Sequence, residues 1–213
     1  MTPRKLKFSK KLRVPKRDFE MKFAKKGYKY IAGIDEVGRA PWAGPVVAAA
    51  VILSSKRIHK IRDSKLLNHE ERRLLAQKII KESISYSIYF SSHYQIDNLG
   101  IHQATILAFK KALRNLKSRT DMVLVDAFKI PRLNIPHLPI IKGDTNCYSI
   151  AAASIIAKVA RDNYMIELSE VYPQYDWQNN KGYPSPKHKE ALKKFGPSPF
   201  HRRSFAPIAK FYR

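Results

Sequence analysis

The stretch KYIAGIDEVGRAPWAGPVVAAAVIL, residues 29–53, decides the fold of this 213-residue chain. It begins with an apolar run that predicts a buried strand, and Asp35 and Glu36 follow this run without a break. A loop at residues 38–45, with two glycines and two prolines, then leads into a second apolar strand, residues 46–53. Carboxylates at the end of a core strand are costly to desolvate unless a partner neutralises them. The stretch therefore predicts either a bound cation at these acids or their pairing with an arginine or a backbone amide.

Side-chain alternation along the first strand puts Asp35 on one face of the sheet and Glu36 on the other. Both acids can reach one site only if the strand ends or twists there. Gly38 and Gly44 permit such a bend, because glycine adopts backbone angles that other residues avoid. On pattern alone, two acids at a strand end are more often an ordinary polar terminus, so a catalytic pair needs support from the rest of the chain.

Composition favours one domain of ordinary size with a polyanionic partner. The chain is 44% hydrophobic and carries 41 Lys and Arg against 17 Asp and Glu, a formal net charge of +24. This excess favours nucleic acid as the partner and an anionic membrane second, although a basic proteome or a ribosomal protein would show the same charge. The single cysteine, Cys147, excludes an internal disulfide and fits a reducing cytoplasm. No apolar run reaches transmembrane length.

Periodicity along the chain predicts strands that alternate with helices. We expect residues 1–28 to form a solvated, flexible basic arm that adds non-specific phosphate contacts. After the two strands of the opening stretch, the pattern predicts a helix from Asn68 to Glu82 with a capping box at Asn68 and Glu71, a strand at 84–91, a turn at 98–100, a helix at 102–116, strands at 122–125 and 138–141, and a buried helix at 146–168.

The segment after residue 171 changes character, because it is rich in proline, aromatic and basic residues. It predicts a small helical C-terminal subdomain, residues 171–213, around a helix at 187–194. The preceding residues, 29–170, predict an α/β domain built on a mixed sheet with helices on both faces.

Three separate apolar strands are each followed by acid. The acids are Asp35 with Glu36, then Asp126, then Asp144 after a Lys-Gly pair. If these strand ends meet at one edge of the sheet, four carboxylates converge and repel one another. Divalent cations remove this conflict, and oxygen-only ligands select Mg²⁺ or Mn²⁺ and not zinc. A carboxylate-bound pair of metal ions on a basic protein is the arrangement used for phosphodiester cleavage.

These segments resemble the motifs of ribonuclease HII, the type 2 ribonuclease H family, over nearly all of residues 29–208. The matching pieces are GIDEVGR…AGPVVAAAV, DSKLL, VDAFKI, KGDTNCYSIAAASIIAKVARD, YPQYDW…NKGYPSPKH and GPSPFHRRSF. The resemblance implies a ribonuclease-H-like mixed five-stranded sheet flanked by helices, with a small C-terminal helical subdomain. Within that fold, it places the family's metal-binding and catalytic acids at Asp35, Glu36, Asp126 and Asp144.

The resemblance also implies a reaction. The family consists of metal-dependent endonucleases that cleave RNA in RNA–DNA hybrids and cut 5′ of single ribonucleotides embedded in duplex DNA. The products carry a 3′-hydroxyl and a 5′-phosphate, and the reaction serves ribonucleotide excision repair. Mg²⁺ or Mn²⁺ is the implied cofactor, with two ions when substrate is bound, and a cytoplasmic monomer is the implied form.

Substrate contacts follow from the same resemblance. The 2′-hydroxyl is the group that separates RNA from DNA. The family senses it with a Gly-Arg-Gly loop and a tyrosine, which here correspond to Gly38, Arg39, Ala40 and Tyr183. Ala40 departs from the family's glycine, and its Cβ narrows the approach and disfavours positive φ, which puts recognition of a lone ribonucleotide in question. Two lysines resemble phosphate contacts, Lys65 and Lys142.

Other polar residues in the motifs carry weaker expectations. Ser154, Lys158 and Arg161 recur along one predicted helix and are expected to add contacts to the nucleic-acid backbone. For His188 and His201 we expect structural hydrogen bonding.

Two alternatives to this hydrolase stay open at the level of sequence. The first is a non-catalytic basic protein that binds RNA or DNA, such as a ribosome-associated factor. The second is a related hybrid-cleaving enzyme with an altered junction preference, suggested by Ala40. The positive charge fits all three, but a pure binder has no reason to place four carboxylates where phosphate must approach.

Overall fold

The structure is a computed structural model that describes residues 14–56, 58, 61 and 67–212, and its centre is a five-stranded mixed sheet. The strands are β1 (Ile31–Val37), β2 (Val46–Leu53), β3 (Ser83–Ser91), β4 (Met122–Asp126) and β5 (His137–Ile140). Their spatial order is β3-β2-β1-β4-β5. The pairs β1–β2 and β2–β3 are antiparallel, whereas β1–β4 and β4–β5 are parallel. The expected mixed five-stranded sheet is confirmed.

Helices cover both faces of this sheet. They are α1 (Asp18–Ala24), α2 (His69–Glu82), α3 (His93–Arg114), α4 (Gly143–Asn146), α5 (Tyr148–Val171), α6 (Trp177–Asn180), α7 (Pro186–Phe195) and α8 (Ala206–Ala209). Helices α2 and α5 pack on one face and α3 packs on the other. Among the described residues, no helix is both long enough and apolar enough to span a bilayer.

Helix α5 lies directly against β1 because Gly33 has no side chain. A Cβ at Gly33 would stand 2.2 Å from the carbonyl carbon of Ser149, in the first turn of α5. Such a distance is far inside any van der Waals contact, so only glycine permits this approach. The close packing brings the side chains of α5 next to the acidic end of β1.

The helix boundaries follow the sequence signals where a capping box is present. Helix α2 begins after Asn68, whose side chain accepts from the Glu71 N–H while the Glu71 carboxylate accepts from the Asn68 N–H. Helix α3 begins earlier than the predicted residue 102, after a second capping box formed by Ser92 and Gln95. The predicted turn survives as a kink at Gly100, with φ 76° and ψ 154°, inside the longer helix.

Residues 14–28 correct the expectation of a solvated, flexible arm over residues 1–28; residues 1–13 lie outside the described part of the chain. Helix α1 places Phe19 and Phe23, one helical turn apart, against the buried cluster beneath β1 and β4. The Arg17 guanidinium donates to three carbonyl oxygens in the turn after β2, at Ser54, Ser55 and Lys56. The many positive charges of this segment favour a solvated arm, but the two phenylalanines are spaced to lie on one side of a helix.

The carboxylate of Glu20 ties α1 to the start of α5. Its Oε1 accepts from the Ser149 N–H at 2.8 Å and from Cys147 Sγ at 3.2 Å. Cys147 occupies the N-cap position of α5 without a side-chain cap of its own, so an acid from another helix satisfies an N–H of the first turn. Burial raises the pKa of the Cys147 thiol.

The chain after α5 packs on the loop between β1 and β2. Tyr175 and Trp177 stack with ring centroids 5.1 Å apart and join a buried cluster that includes Ala43 of that loop and Met165 of α5. The predicted helix at 187–194 is α7, which the Ser185 side chain caps by accepting from the His188 N–H. This packing fixes the loop at residues 38–45 from its outer side.

Candidate active site

The carboxyl ends of three parallel strands meet at one edge of the sheet. Ile34 of β1 pairs with Val125 of β4, which puts Asp126, the last residue of β4, beside Asp35. Asp126 in turn pairs with Ile140, the last residue of β5, and the chain continues from there to Asp144. The parallel order β1-β4-β5 is thus what collects the acids, because parallel strands end at the same edge.

Asp35 and Glu36 point to opposite faces, as the alternation predicts. Asp35 is buried beneath α5, where Ser154 hydrogen-bonds its carboxylate and the Glu36 N–H donates to its Oδ1 at 2.8 Å. Glu36 lies toward α3, with its Oε1 3.8 Å from Nη1 of Arg39. The guanidinium of Arg39 also covers the ring of Phe128 at 4.6 Å. The positive charge of Arg39 therefore compensates part of the negative charge of Glu36, but the distance is too long for a strong hydrogen bond.

Asp126 and Asp144 are joined through the backbone between them. The Gly143 N–H donates to Asp126 Oδ1 at 2.7 Å, and a Cβ at Gly143 would stand 2.6 Å from Ile150 Cδ1. The residues that flank this contact, Ala127 and Lys142, have φ values of 53° and 55°. These left-handed conformations cost free energy in residues with a Cβ, and they turn the chain sharply after each strand.

The four acids form one electrostatic cluster. Burial raises the pKa of Asp35 well above its ordinary value, and the neighbouring charges of Glu36 and Asp126 raise it further. Burial also raises the pKa of Glu36 to about 7; Arg39 opposes the rise, and Asp126 and Asp144 add to it. Electrostatic interactions thus link the four acids that the sequence singles out, although Asp35 and Glu36 point to opposite faces of the sheet.

The donor set of this cluster fits a hard divalent cation. Glu36 Oε2 is buried and has no hydrogen-bond partner among the described residues. A buried carboxylate oxygen without a donor is costly unless a cation approaches it. In the described part of the chain, no group of three or more His, Cys, Asp or Glu side chains is arranged to enclose a metal ion by itself. An ion bound at these acids would take its other ligands from water or substrate, as Mg²⁺ does at phosphate-binding sites.

The loop at residues 38–45 borders the acidic edge. Gly38 has φ 93°, and a Cβ there would stand 2.1 Å from Nε of Arg161, so glycine is required on two grounds. Ala40 is exposed. Within the described residues, positive φ occurs at five non-glycine positions, and Ala40 is not one of them. Ala40 therefore does not have the positive φ that a Cβ disfavours.

The other predicted substrate contacts lie on separate segments. Tyr183 follows α6, and 39% of its surface is exposed. Its segment is bound to the loop at residues 38–45, because the Trp42 N–H donates to the Gly182 carbonyl at 2.8 Å. Lys142 is exposed just before α4, next to the acids, and Lys65 lies outside the described residues.

Helix α5 corrects the expectation of a phosphate-binding row. Ser154 bonds Asp35, and Lys158 forms an ion pair with Asp162 at 2.7 Å. Arg161 is fully buried and has no access to a phosphate. These side chains lie on the side of α5 that packs against the rest of the protein, so they bind other protein groups and not a phosphate. Only the packing of α5 on β1 shows which side of the helix this is.

Two buried arginines hold the loop, and sequence reasoning missed both of these roles. Arg161 donates three hydrogen bonds, to the carbonyls of Pro45, Ala43 and Lys181. Arg202 donates four, to the carbonyls of Gly38, Arg39, Gly44 and Pro45. Burial lowers the pKa of Arg161 to about 10 and that of Arg202 to about 9, so both stay charged at neutral pH. Nothing in the segment HRRSF distinguishes a buried arginine from a surface one.

The two histidines have structural hydrogen bonds, as expected. His201 Nδ1 accepts from the Ser198 N–H at 2.9 Å, so its Nε2 carries the proton and faces His188 Nε2 at 2.9 Å. His188 Nδ1 then donates to the Tyr183 carbonyl at 2.8 Å. Burial lowers the pKa of His201 to about 3, and the neighbouring His188 adds to this lowering because two adjacent imidazoles cannot both carry a charge without repulsion. Both rings are neutral, and together they support the backbone of Tyr183.

Comparison with known proteins gives consistent similarities over most of the chain. The sequence model of the family described as ribonuclease HII matches residues 32–208. Ribonuclease HII of Caldicellulosiruptor bescii is 50% identical over 189 residues, covering 88% of this chain and 92% of that protein. The crystal structure of ribonuclease H2 from Pyrococcus horikoshii OT3 superposes with a TM-score of 0.75 at 27% identity, covering 86% of this chain and 97% of the other. The crystal structure of Bst-RNase HIII in complex with Mn²⁺ superposes with a TM-score of 0.66 at 21% identity, covering 86% and 69%, which is a likeness of fold.

Proposed function

The chain belongs to the ribonuclease HII family and is an endonuclease that hydrolyses RNA in RNA–DNA hybrids, and we propose that its reaction takes place at Asp35, Glu36, Asp126 and Asp144. The observation that carries this assignment is the electrostatic coupling of these acids at the shared edge of β1, β4 and β5. Buried carboxylates that repel one another are found most often at functional sites, which supports this assignment.

We propose that these acids hold Mg²⁺ or Mn²⁺, with two ions once substrate is bound. Enzymes of this family are metal-dependent, and a structural neighbour, Bst-RNase HIII, was crystallised with Mn²⁺. The buried, unpartnered Oε2 of Glu36 supports a cation ligand there. Bound ions supply an activated water at neutral pH and neutralise the charge that develops on the leaving 3′ oxygen. The protein's own part is to fix the acids: Ser154 orients Asp35, and the Gly143 N–H orients Asp126.

The proposed cut lies 5′ of a ribonucleotide, in an RNA–DNA hybrid or embedded in duplex DNA, and leaves a 3′-hydroxyl and a 5′-phosphate. The loop segment Gly38-Arg39-Ala40 and the phenol of Tyr183 are proposed to sense the 2′-hydroxyl, which accepts and donates hydrogen bonds. Their joint placement by the Trp42–Gly182 backbone bond supports a shared role. Ala40 does not have positive φ, so its Cβ does not conflict with the backbone conformation of this loop.

We propose that positive charge on the protein adds affinity for the phosphates of the substrate. A net charge of +24 favours a phosphate backbone, and Lys142 stands exposed beside the acids. We propose that Lys142 contacts a phosphate near the cut, and that Lys65 does so from the segment outside the described residues. We further propose a monomer that acts in the cytoplasm, with residues 29–170 as the catalytic domain and residues 171–213 as a helical subdomain.

The test uses two labelled substrates, a DNA duplex with one ribonucleotide and a uniform RNA–DNA hybrid, each incubated with Mg²⁺ or Mn²⁺. Cutting 5′ of the ribonucleotide, with a 3′-hydroxyl product, is expected. A duplex of the same sequence without a ribonucleotide is the control and should stay intact. Binding of both substrates without any cut, in either metal, would overturn the proposal in favour of a non-catalytic binding protein.

A further inference from the structure

Two fully buried cations, Arg161 and Arg202, lie behind the loop that borders the acidic edge. Within the described residues, every hydrogen bond of these two guanidiniums ends on a backbone carbonyl, and none ends on a carboxylate. Burying an arginine is costly because the charge loses its hydration, and hydrogen bonds to the charged group recover part of that cost. Two buried arginines at one loop are costly, which indicates a role that requires the several hydrogen-bond donors of a guanidinium and that a neutral side chain does not fill.

The carbonyls that Arg202 binds decide where the loop's N–H groups point. Nη2 of Arg202 lies 2.6 Å from the Gly38 carbonyl oxygen, and Nη1 lies 2.9 Å from that of Arg39. In a trans peptide the N–H of the following residue points opposite to the C=O. The N–H groups of Arg39 and Ala40 therefore point away from the guanidinium, and Ala40 is exposed.

Arg161 connects the same loop to the segment that carries Tyr183. Its Nε and Nη2 bind the carbonyls of Pro45 and Ala43 at 2.9 and 3.1 Å, and its Nη1 binds the Lys181 carbonyl at 3.0 Å. Gly38 packs directly on this guanidinium, since a Cβ there would clash with Nε and Cδ of Arg161. The planar fork thus sets the distance between the loop and Tyr183.

We propose that Arg161 and Arg202 are positioning residues for recognition of the 2′-hydroxyl, holding two loop amides and Tyr183 in the arrangement that accepts a ribonucleotide. This inference rests on the proposed function of the loop. It separates two tasks that positive charge performs in this protein: exposed lysines attract any nucleic acid, whereas these two buried arginines set the discrimination between ribose and deoxyribose.

The test compares Arg202→Lys and Arg161→Lys with the unmodified protein. Lysine keeps the charge but is a single donor group without the planar fork, so it does not hold several carbonyls in fixed geometry. The expected result is a loss of about a hundredfold in kcat/KM on the duplex with one ribonucleotide, the size typical of a small misplacement of binding groups. The Kd for an all-DNA duplex of the same sequence should stay unchanged, because the phosphate contacts and the net charge are kept.

The matched control is Asp97→Asn. The Asp97 carboxylate anchors the same C-terminal segment by accepting from the N–H groups of Arg203 and Ser204. Its charge favours the charged form of Arg202, but Asp97→Asn leaves all the hydrogen bonds from Arg202 to the loop carbonyls in place. This variant should lower the unfolding temperature without changing the ratio of ribonucleotide cutting to DNA binding. An equal loss in Asp97→Asn, or a parallel weakening of both duplexes in Arg202→Lys, would show that the arginines only support the fold.

A second measurement decides the question even if both lysine variants fail to fold. In the Asp126→Asn protein, the backbone amide resonances of Arg39 and Ala40 and the Nε–H resonances of both arginines are followed by NMR during titration. Larger shifts with the ribonucleotide duplex than with the all-DNA duplex are expected, and equal shifts would overturn the inference. Absence of cutting by the unmodified protein would instead refute the proposed function, so the two failures are distinguishable.

Discussion

The Gly143 N–H and Asp126 Oδ1 are joined by a hydrogen bond of 2.7 Å, so the turn after β5 is held by the last residue of β4. This bond fixes one carboxylate oxygen of Asp126 and, through the next residue along the chain, the position of Asp144. Two of the four acids therefore share one backbone support. A change at Asp126 is expected to affect both.

Replacing Asp126 by asparagine should abolish cleavage and retain substrate binding. The amide keeps the hydrogen bond from Gly143 but removes a negative charge from the proposed metal site, and a loss of several kcal/mol in transition-state stabilisation corresponds to about a thousandfold in rate. Single-turnover cleavage and fluorescence anisotropy measure the two effects separately.

The matched control is Asp121→Asn, just before the same strand, whose carboxylate accepts from the N–H groups of Lys29 and Tyr30. It should lower stability slightly and leave cutting intact; an equal loss of cutting would point to a folding defect.

The stabilising contribution of Glu36 in the metal-free protein should be lost as the pH rises from 4.5 to about 7. Because the folded state raises the pKa of Glu36 from 4.5 to about 7, its stabilising contribution is full below pH 4.5 and is lost as the pH passes 7. The loss is about 1.4 kcal/mol for each pH unit while one proton separates the two states. Mg²⁺ should therefore raise the unfolding temperature more at pH 8 than at pH 5.5. Scanning calorimetry of the unmodified protein and Glu36→Gln checks this, and an unchanged pH slope in the variant would contradict it.

Acid should destabilise the buried histidine pair. The folded state lowers the pKa of His201 from 6.5 to about 3, so the contribution of the neutral ring is present above pH 6.5 and is lost as the pH falls toward 3. Urea unfolding between pH 4.5 and 7.5 measures the slope, expected at about 1.4 kcal/mol per pH unit for this group. His201→Gln keeps a donor toward His188 and should be less stable at pH 7 but shallower in its acid dependence. The same slope in both proteins would place the titration elsewhere.

Restoring glycine at position 40 should change little in catalysis. Because Ala40 does not have positive φ, Ala40→Gly relieves no strain and lowers the free energy of unfolding by up to about 1 kcal/mol through the greater freedom of the unfolded chain. The ratio of cutting at one ribonucleotide to cutting of a uniform hybrid should stay the same. A strong gain at the lone ribonucleotide would instead show that the alanine Cβ restricts the approach of substrate.

Affinity for nucleic acid should fall steeply with salt. A protein that neutralises six or more phosphates loses about a thousandfold in affinity between about 50 and 200 mM salt. Lys142→Gln should make the slope shallower by about one unit, since one phosphate contact is removed. Lys111→Gln is the control, because Lys111 lies in the last turn of α3, at the end of the sheet away from the acids. A flat salt dependence, or equal changes in both variants, would contradict the proposed contact.

Much of the architecture is readable in the sequence, because its signals are local. The capping box at Asn68 and Glu71 marks the start of α2, and apolar runs that end in acid mark β1 and β4. The sequence signal for β5 is offset by one residue, since Ile141 follows the strand and is exposed. The sequence does not predict the start of α3, because a helix that crosses Gly100 keeps no continuous apolar stripe through its kink.

The part of the site that sequence does not predict depends on contacts between distant segments. Arg202 reaches carbonyls more than 150 residues away along the chain. No spacing rule relates these positions. The groups that Arg202 binds are backbone carbonyls, which every residue type has, so the sequence carries no signal for them. The acids were found because strand ends in a parallel arrangement converge, which is a rule of topology and not of pairwise contact.

The enclosed position of Cys147, the only cysteine of the chain, has a practical consequence. Its thiol is shielded from reagents and held in the protonated, unreactive form by its surroundings. A second cysteine introduced on the surface, for example at Lys187 of α7, would accordingly take up a maleimide dye alone. A fluorophore attached at this position would allow single protein molecules to be followed on nucleic acid without first replacing Cys147.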